Sequence, residues 1–311
     1  MYYIRRYTTN YSEELFKRLE NYKVKCSCFP ITASPDTYTS MNFTLDESSP
    51  AFGELEPYLP EATPVEDHLK LPANFDIKNP FKDPCTSILY EPVYTEEERK
   101  SAEWLEMQAI SRKVQILNEE TFFGRSCIYG KSKWGAVQAW HTVQAEPPVV
   151  SRPIRWSNSQ FFCTCYTQEL FCNDRTKMIL EESDLRGFRF DPVLRGGRKE
   201  PLADAWQIRA LSVTPNWAFV PLQYMEESPC PNCGMQRLHL LEGRGQHGIR
   251  KGCLDPEVDF YETLPSFGSF PGTSCIVRNI ISQRMYRLLC EKRMTRAVKF
   301  IPLSVVDDES R

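Results

Sequence analysis

The sequence predicts an α+β fold: two similar helix-turn-strand lobes with short sheets, a loop-rich N-terminal region, and a candidate zinc knuckle. Three observations predict it. Two segments, LFCNDRTKMILEESDLRGFRFDPV (170–193) and NIISQRMYRLLCEKRMTRAVKFIPL (279–303), follow one pattern. A CPNCG turn, Cys230 to Gly234, stands between them. Residues 29–92 are rich in Pro, Ser, Thr and Asp, with only short apolar pieces, which predicts loop and short strand.

A chain of 311 residues is long enough for a substantial core, and 41% hydrophobic and 25% charged residues are ordinary for a globular protein. The start, MYYIRRYTTNYSEELFKRLE, has no apolar core of a signal peptide, and no run approaches the length of a membrane span. These features predict a cytoplasmic protein with no membrane partner. With that start and that length, the twelve cysteines are expected as reduced thiols, most of them small buried side chains.

The elements follow in chain order. Tyr2 to Arg6 reads as a short strand. A helix follows, with Ser12 at its N-cap and Leu15, Phe16 and Leu19 on one face. Between residues 31 and 70, eight acids (Asp36, Asp46, Glu47, Glu54, Glu56, Glu61, Glu66, Asp67) face one base, Lys70. Two readings are open: a solvated loop, or a surface complementary to a basic partner. Both disfavour nucleic acid, which needs concentrated Lys and Arg, whereas the net charge here is −3. Glu96 to Lys113 reads as a helix, because Trp104, Met107 and Ile110 recur at spacings of three.

In the two similar segments, placing Asn173 on Ser282 makes both helix N-caps. It also sets Ile179-Leu180 on Leu288-Leu289 and Leu185 on Met294. After one inserted residue, Phe188, Phe190 and Pro192 fall on Val298, Phe300 and Pro302. Each copy is then a capped helix, a tight turn at Gly187 or Ala297, and a strand that stops at proline. Agreement of cap, helix face, strand face and proline favours duplication over chance. The expected organisation is residues 1–114 as an N-terminal region, 115–225 as the first lobe, and 226–311 as the knuckle with the second lobe.

Catalytic motifs are scarce. The four histidines are His68, His141, His239 and His247. No nucleophile elbow, P-loop, HExxH or dinucleotide fingerprint is present. The glycines of LRGGRKE (194–200) lack the strand-to-helix context of a phosphate loop. Cys230 and Cys233 are therefore the main ligand-like signal, one half of a tetrahedral zinc site, with reduced thiols in a tight turn as the alternative. The other ligands are open among Cys26, Cys28, Cys163, Cys165, His239, His247 and Cys253.

The capped helix and strand of each repeat, the CPNCG knuckle, and TFFGRSCIYGKSKWGAVQAW (121–140), with Gly124, Gly130, Trp134-Gly135 and Trp140, form one constellation. It resembles the double-CXXCG motif immunity proteins of bacterial polymorphic-toxin systems, of myxobacterial type, over about residues 120–303 and more faintly before. The resemblance implies an antitoxin: a cytoplasmic protein that binds a cognate toxin and blocks it by occlusion, and is not an enzyme. It also implies a second cysteine pair, here Cys26-Ser27-Cys28-Phe29, one residue short and without its glycine. Cys26, Cys28, Cys230 and Cys233 would then hold one structural Zn²⁺ in a distorted site, or the metal has been lost. Charge alone suggests a basic toxin such as a nuclease, met by Glu54, Glu56, Glu61 and Glu66. Two other readings compete: a cysteine- or zinc-dependent enzyme using Cys163, Cys165 or Cys172, and a zinc ribbon acting in transcription or on RNA, against which the acidity argues.

Overall fold

The computed structural model describes residues 2–10, 12–30, 38–59, 87–110, 112–114, 116–117, 123–131, 137–144, 146–150, 154–156, 159–164, 169–196, 199–222, 225–227, 236–240, 247–264, 266–268 and 277–307. The architecture is mixed α+β, with five α-helices and several short sheets among the described residues. These residues fall into two compact units, one within Met1–Thr95, the other within Glu96–Leu240 and Gln246–Arg311.

The first unit contains β1 (Tyr2–Asn10), α1 (Glu13–Asn21), β2 (Cys26–Pro30), β3 (Tyr38–Asp46), α2 (Pro50–Leu55), a 3-10 turn at Glu56–Tyr58, and β4 (Ser87–Val93). The strands form an antiparallel sheet in the order β2-β3-β1-β4. Ser12 caps α1, accepting from the Leu15 amide at 3.3 Å, as its residue type predicts. The apolar residues of β3 alternate, so Met41, Phe43 and Leu45 face a small core with Tyr7, Leu15, Leu19, Phe52 and Leu55. Residues 29–92 thus hold more regular structure than their composition suggested, a nine-residue strand and α2 included.

The second unit runs α3 (Glu96–Ser101), β5 (Trp104–Ala109), β6 (Arg112–Val114), β7 (Phe123–Lys131), β8 (Val137–Gln144), β9 (Val149–Val150), β10 (Phe161–Thr164), β11 (Leu170–Asn173), α4 (Asp174–Glu181), β12 (Phe188–Arg195), β13 (Glu200–Ala210) and β14 (Ser212–Val213). It continues with β15 (Phe219–Pro221), β16 (Met225–Glu227), β17 (Arg237–Leu240), β18 (His247–Arg250), β19 (Phe260–Glu262), β20 (Ser266–Gly268), β21 (Asn279–Ser282), α5 (Gln283–Glu291), β22 (Val298–Pro302) and β23 (Ser304–Val306). Two large sheets dominate, ordered β6-β10-β11-β13-β12-β9 and β14-β19-β21-β5-β22. Smaller ones are β15-β18-β23, β16-β17-β20 and the hairpin β7-β8.

The helix expected over Glu96–Lys113 is corrected. Only α3 is helical, and Trp104–Ala109 is a strand at the interior of the five-stranded sheet. A strand buried on both faces has apolar residues on both, so its spacing imitates a helix stripe. Trp104 and Met107 are buried, but Ile110 stands in solvent.

Both similar segments form strand, capped helix, turn and strand. Asn173 Oδ1 accepts the Thr176 amide at 2.8 Å, and Ser282 Oγ accepts the Met285 amide at 3.1 Å. Gly187 and Ala297 both have positive φ, 98° and 61°. Leu180 and Leu289 are 1% and 0% exposed. One detail differs from expectation: β12 runs through Pro192, and the ladder shifts register between Pro192 and Leu194, where the ring nitrogen offers no donor. β22 does end at Pro302. The helices α4 and α5 contribute to one core, with Leu105, Met107, Phe161, Cys172 and Leu180 beside Phe260, Ile281, Met285 and Leu289. Residues on both sides of 114/115 and of 225/226 contribute to that core.

Candidate functional site

The knuckle is framed by a hairpin. β16 and β17 pair antiparallel, with Glu227 opposite Leu238, and Cys230 and Cys233 belong to their connection, outside the described residues. β20 runs parallel along β17, with Leu238 beside Phe267. A Cys-x-x-Cys in a hairpin connection is the backbone setting of a zinc half-site. Cys26 lies on β2, half-buried against the first unit's core, and Cys28 is two residues along the same strand, its side chain outside the description. Among the described residues, no group of three or more His, Cys, Asp or Glu side chains is placed to hold a metal.

Leu238 of the hairpin and Phe267 of β20 pack into a second core with Trp104, Phe219, Ile249 and Tyr261. A charged array lies at its margin. Glu106, 0% exposed on β5, accepts from Arg278 Nη1 at 2.6 Å and from the Gln108 amide. The Arg278 guanidinium lies 4.2 Å from the centroid of Phe267, a cation–π contact. His247 has its ring beside Phe267 at 4.9 Å and Phe219 at 5.4 Å, with Nε2 3.6 Å from Glu106 Oε2. Burial, and then the Arg278 charge, push the His247 pKa down to about 4, against the pull of Glu106. At neutral pH the imidazole is therefore uncharged, and its Nε2 makes no hydrogen bond.

Chemically, this array fixes a guanidinium–carboxylate pair under an aromatic pair and ties β5, β18 and β20 together. Sequence reading missed it, because a helix with its stripe on Trp104, Met107 and Ile110 gives Glu106 no reason to be buried. As a strand, Trp-Leu-Glu-Met puts a carboxylate inside an apolar run, and that demands a buried cation.

Two of the candidate catalytic thiols, Cys163 and Cys172, are enclosed. Cys163 Sγ donates to the Ala109 carbonyl at 3.0 Å, and burial pushes the Cys172 thiol well up. Neither presents a thiolate to solvent. Cys165 lies outside the described residues, as do His68 and the side chains of His141 and His239.

The acidic segment is partly neutralised where it is described. Glu54 and Glu56 are exposed; the Tyr22 hydroxyl donates to Glu54, and Arg5 Nη2 lies 3.9 Å from Glu56. Arg5 also pairs with Glu47, and Asp46 accepts from the Ser48 amide at 2.8 Å. Arg18 lies 3.6 Å over the Tyr58 ring beside a shallow cleft that Glu54 also lines. Glu61 and Glu66 fall outside the described residues.

Comparison of the chain with protein-family models, with curated proteins and with solved structures finds no match. Among the described residues, no helix is long and apolar enough to cross a membrane.

Proposed function

We propose that the chain is an immunity protein that binds a cognate toxin and neutralises it by occlusion, without catalysis of its own. One observation carries the reading: a hairpin with Cys-Pro-Asn-Cys-Gly in its connection lies between two strand, capped-helix, strand segments, the order of the resemblance. The same reading takes those segments as two similar lobes, and the cytoplasm as the place of action. It assigns a structural Zn²⁺ to Cys230 and Cys233, with Cys26 and Cys28 as the degenerate second pair. Two thiolate pairs would supply the tetrahedral set that zinc favours and would add folding free energy, not chemistry. The toxin is a protein with a basic face, a nuclease being the fitting class, met by Glu54, Glu56, Glu61 and Glu66.

Co-expression tests it. The adjacent reading frame is induced with and without this chain, and growth is scored. Rescue that requires this chain, with a complex that co-purifies, is the expected result. A toxic neighbour whose effect the chain leaves untouched overturns the proposal.

A further inference from the structure

We infer that residues 102–196 and 203–306 are two copies of one folding unit that have exchanged their first strands, so that each copy is completed by the other. The ladders carry the inference. In the six-stranded sheet, β13 lies between β11 and β12, with Asn173 opposite Ala205 and Phe188 opposite Ala210. In the five-stranded sheet, β5 lies between β21 and β22, with Ser282 opposite Trp104 and Val298 opposite Ala109. From Ala205 to Ala210, and from Trp104 to Ala109, the step is the same. The next amide closes each turn alike: Leu211 donates to the Gly187 carbonyl and Ile110 to the Ala297 carbonyl, both at 2.8 Å.

The match continues outward. β10 runs antiparallel to β11 with Phe161 opposite Cys172, and β19 to β21 with Phe260 opposite Ile281. The cap amides return alike, Asn173 to the Gln160 carbonyl at 3.3 Å and Ser282 to the Asp259 carbonyl at 3.0 Å. β6 pairs parallel with β10 through Arg112 and Cys163, and β14 with β19 through Val213 and Glu262. On the far side, β9 pairs parallel with the end of β12 (Val149 by Leu194), and β18 with β23 (Gly248 by Ser304). The sequence keeps a trace, Ala102 with Ala109-Ile110-Ser111 against Ala203 with Ala210-Leu211-Ser212.

The exchange lies in which copy supplies the middle strand. β13 opens the second copy and sits in the first copy's sheet; β5 opens the first copy and sits in the second's. Each first strand still touches its own copy at its last residue: Cys163 Sγ donates to the Ala109 carbonyl at 3.0 Å, and the Ala210 amide donates to Glu262 Oε1 at 3.4 Å. A copy without the other's strand would leave β11 and β12, or β21 and β22, two strand spacings apart, roughly 9–10 Å, with buried amides and carbonyls unpaired. The surface that completes each copy therefore fits one partner, a second copy of the same unit.

Cleavage of the intact chain tests this. A protease site inserted in the Gly196–Lys199 turn is cut in the folded protein, and amide hydrogen exchange is followed over Leu170–Asn173, Phe188–Arg195 and Asn279–Ser282. The expected result is that the cut protein stays one species with its protection intact. After separation in urea, each fragment alone loses protection at those strands, and mixing the fragments restores it. Protection in either fragment alone, as a monomer, overturns the inference. So does a mixture that stays unprotected while the uncut chain refolds under the same conditions.

Discussion

The two large sheets of the second unit put different chemistry at matching places. On β13, opposite Phe171 of β11, Gln207 is buried and exchanges two amide hydrogen bonds with Gln144, at 2.6 and 2.9 Å. On β5, opposite Ile280 of β21, Glu106 is buried and depends on Arg278, with neutral His247 beside it. Next to the caps, Gln160 in one sheet stands against Asp259 in the other. Asp259 accepts from Ser282 Oγ at 2.5 Å, the Arg186 amide at 2.9 Å, and Arg284 Nε and Nη2 at 3.0 and 2.8 Å. The same ladder thus accommodates an uncharged pair or an ion, provided that the ion's partners arrive from elsewhere in the chain. Both depend on a residue distant in sequence, Gln144 or Arg278, but the first arrangement carries no proton to exchange and the second is sensitive to pH.

The largest effect is expected at the ion. Glu106→Ala leaves the half-buried Arg278 without its carboxylate and should cost about 3–5 kcal/mol, the range for one lost member of a buried pair. Gln207→Ala leaves only the Gln144 amide without its partner and should cost about 1–3 kcal/mol. Urea denaturation of both variants decides it. Equal losses would dissolve the distinction between the sheets.

The turns give a second contrast. A Cβ on Gly187 would lie 2.5 Å from Val258 Cγ1 and 2.9 Å from the Phe260 carbonyl oxygen, at φ +98°. Left-handed strain and overpacking together make Gly187→Ala cost roughly 2–5 kcal/mol. At the matching turn the chain already holds alanine at φ +61°, so Ala297→Gly should change stability by less than about 1 kcal/mol. Thermal melts of both variants at one concentration test the contrast.

Much of the local structure of the two similar segments was legible, because caps, turns and apolar faces are local. Asn173 and Ser282 had to cap, and Gly187 and Ala297 had to turn. Leu180→Ala and Leu289→Ala should accordingly cost alike, about 2–5 kcal/mol each, as measured by urea denaturation. A large difference between them would mean that the helices pack on unequal surroundings despite equal burial. What pairs with what was not legible. β5 lies far in sequence from β21 and β22, and only the ladder reveals that Trp104–Ala109 fills their gap. The Glu106, Arg278 and His247 array was hidden for the same reason, since three distant segments meet there. Pro192 marked an irregularity, but whether a strand stops or bulges at proline depends on its neighbours, here β13 and β9.

The last contrast is in pH. Buried His247 titrates near 4, against an ordinary value of 6.5, so the folded state binds fewer protons than the unfolded one between those values. The stability that neutral His247 permits is fully present above pH 6.5, and is lost as pH falls toward 4. The loss should be about 3 kcal/mol by linkage. Glu262, whose carboxyl burial pushes up, acts in the opposite sense and loses stability as pH rises, so the wild-type profile mixes the two. The His247→Phe variant keeps Glu262, and the difference between its stability and the wild type's isolates the imidazole. That difference, measured by urea denaturation from pH 7 to pH 4, should swing by about 3 kcal/mol in the variant's favour. His247→Gln should show the same swing, which separates titration from ring packing between Phe219 and Phe267. Gln207→Ala should show no swing beyond the wild type's, because the amide pair carries no proton to exchange. A flat difference for both His247 variants would mean that the imidazole titrates in the folded protein as it does in the unfolded chain, and that the second sheet is no more acid-sensitive than the first.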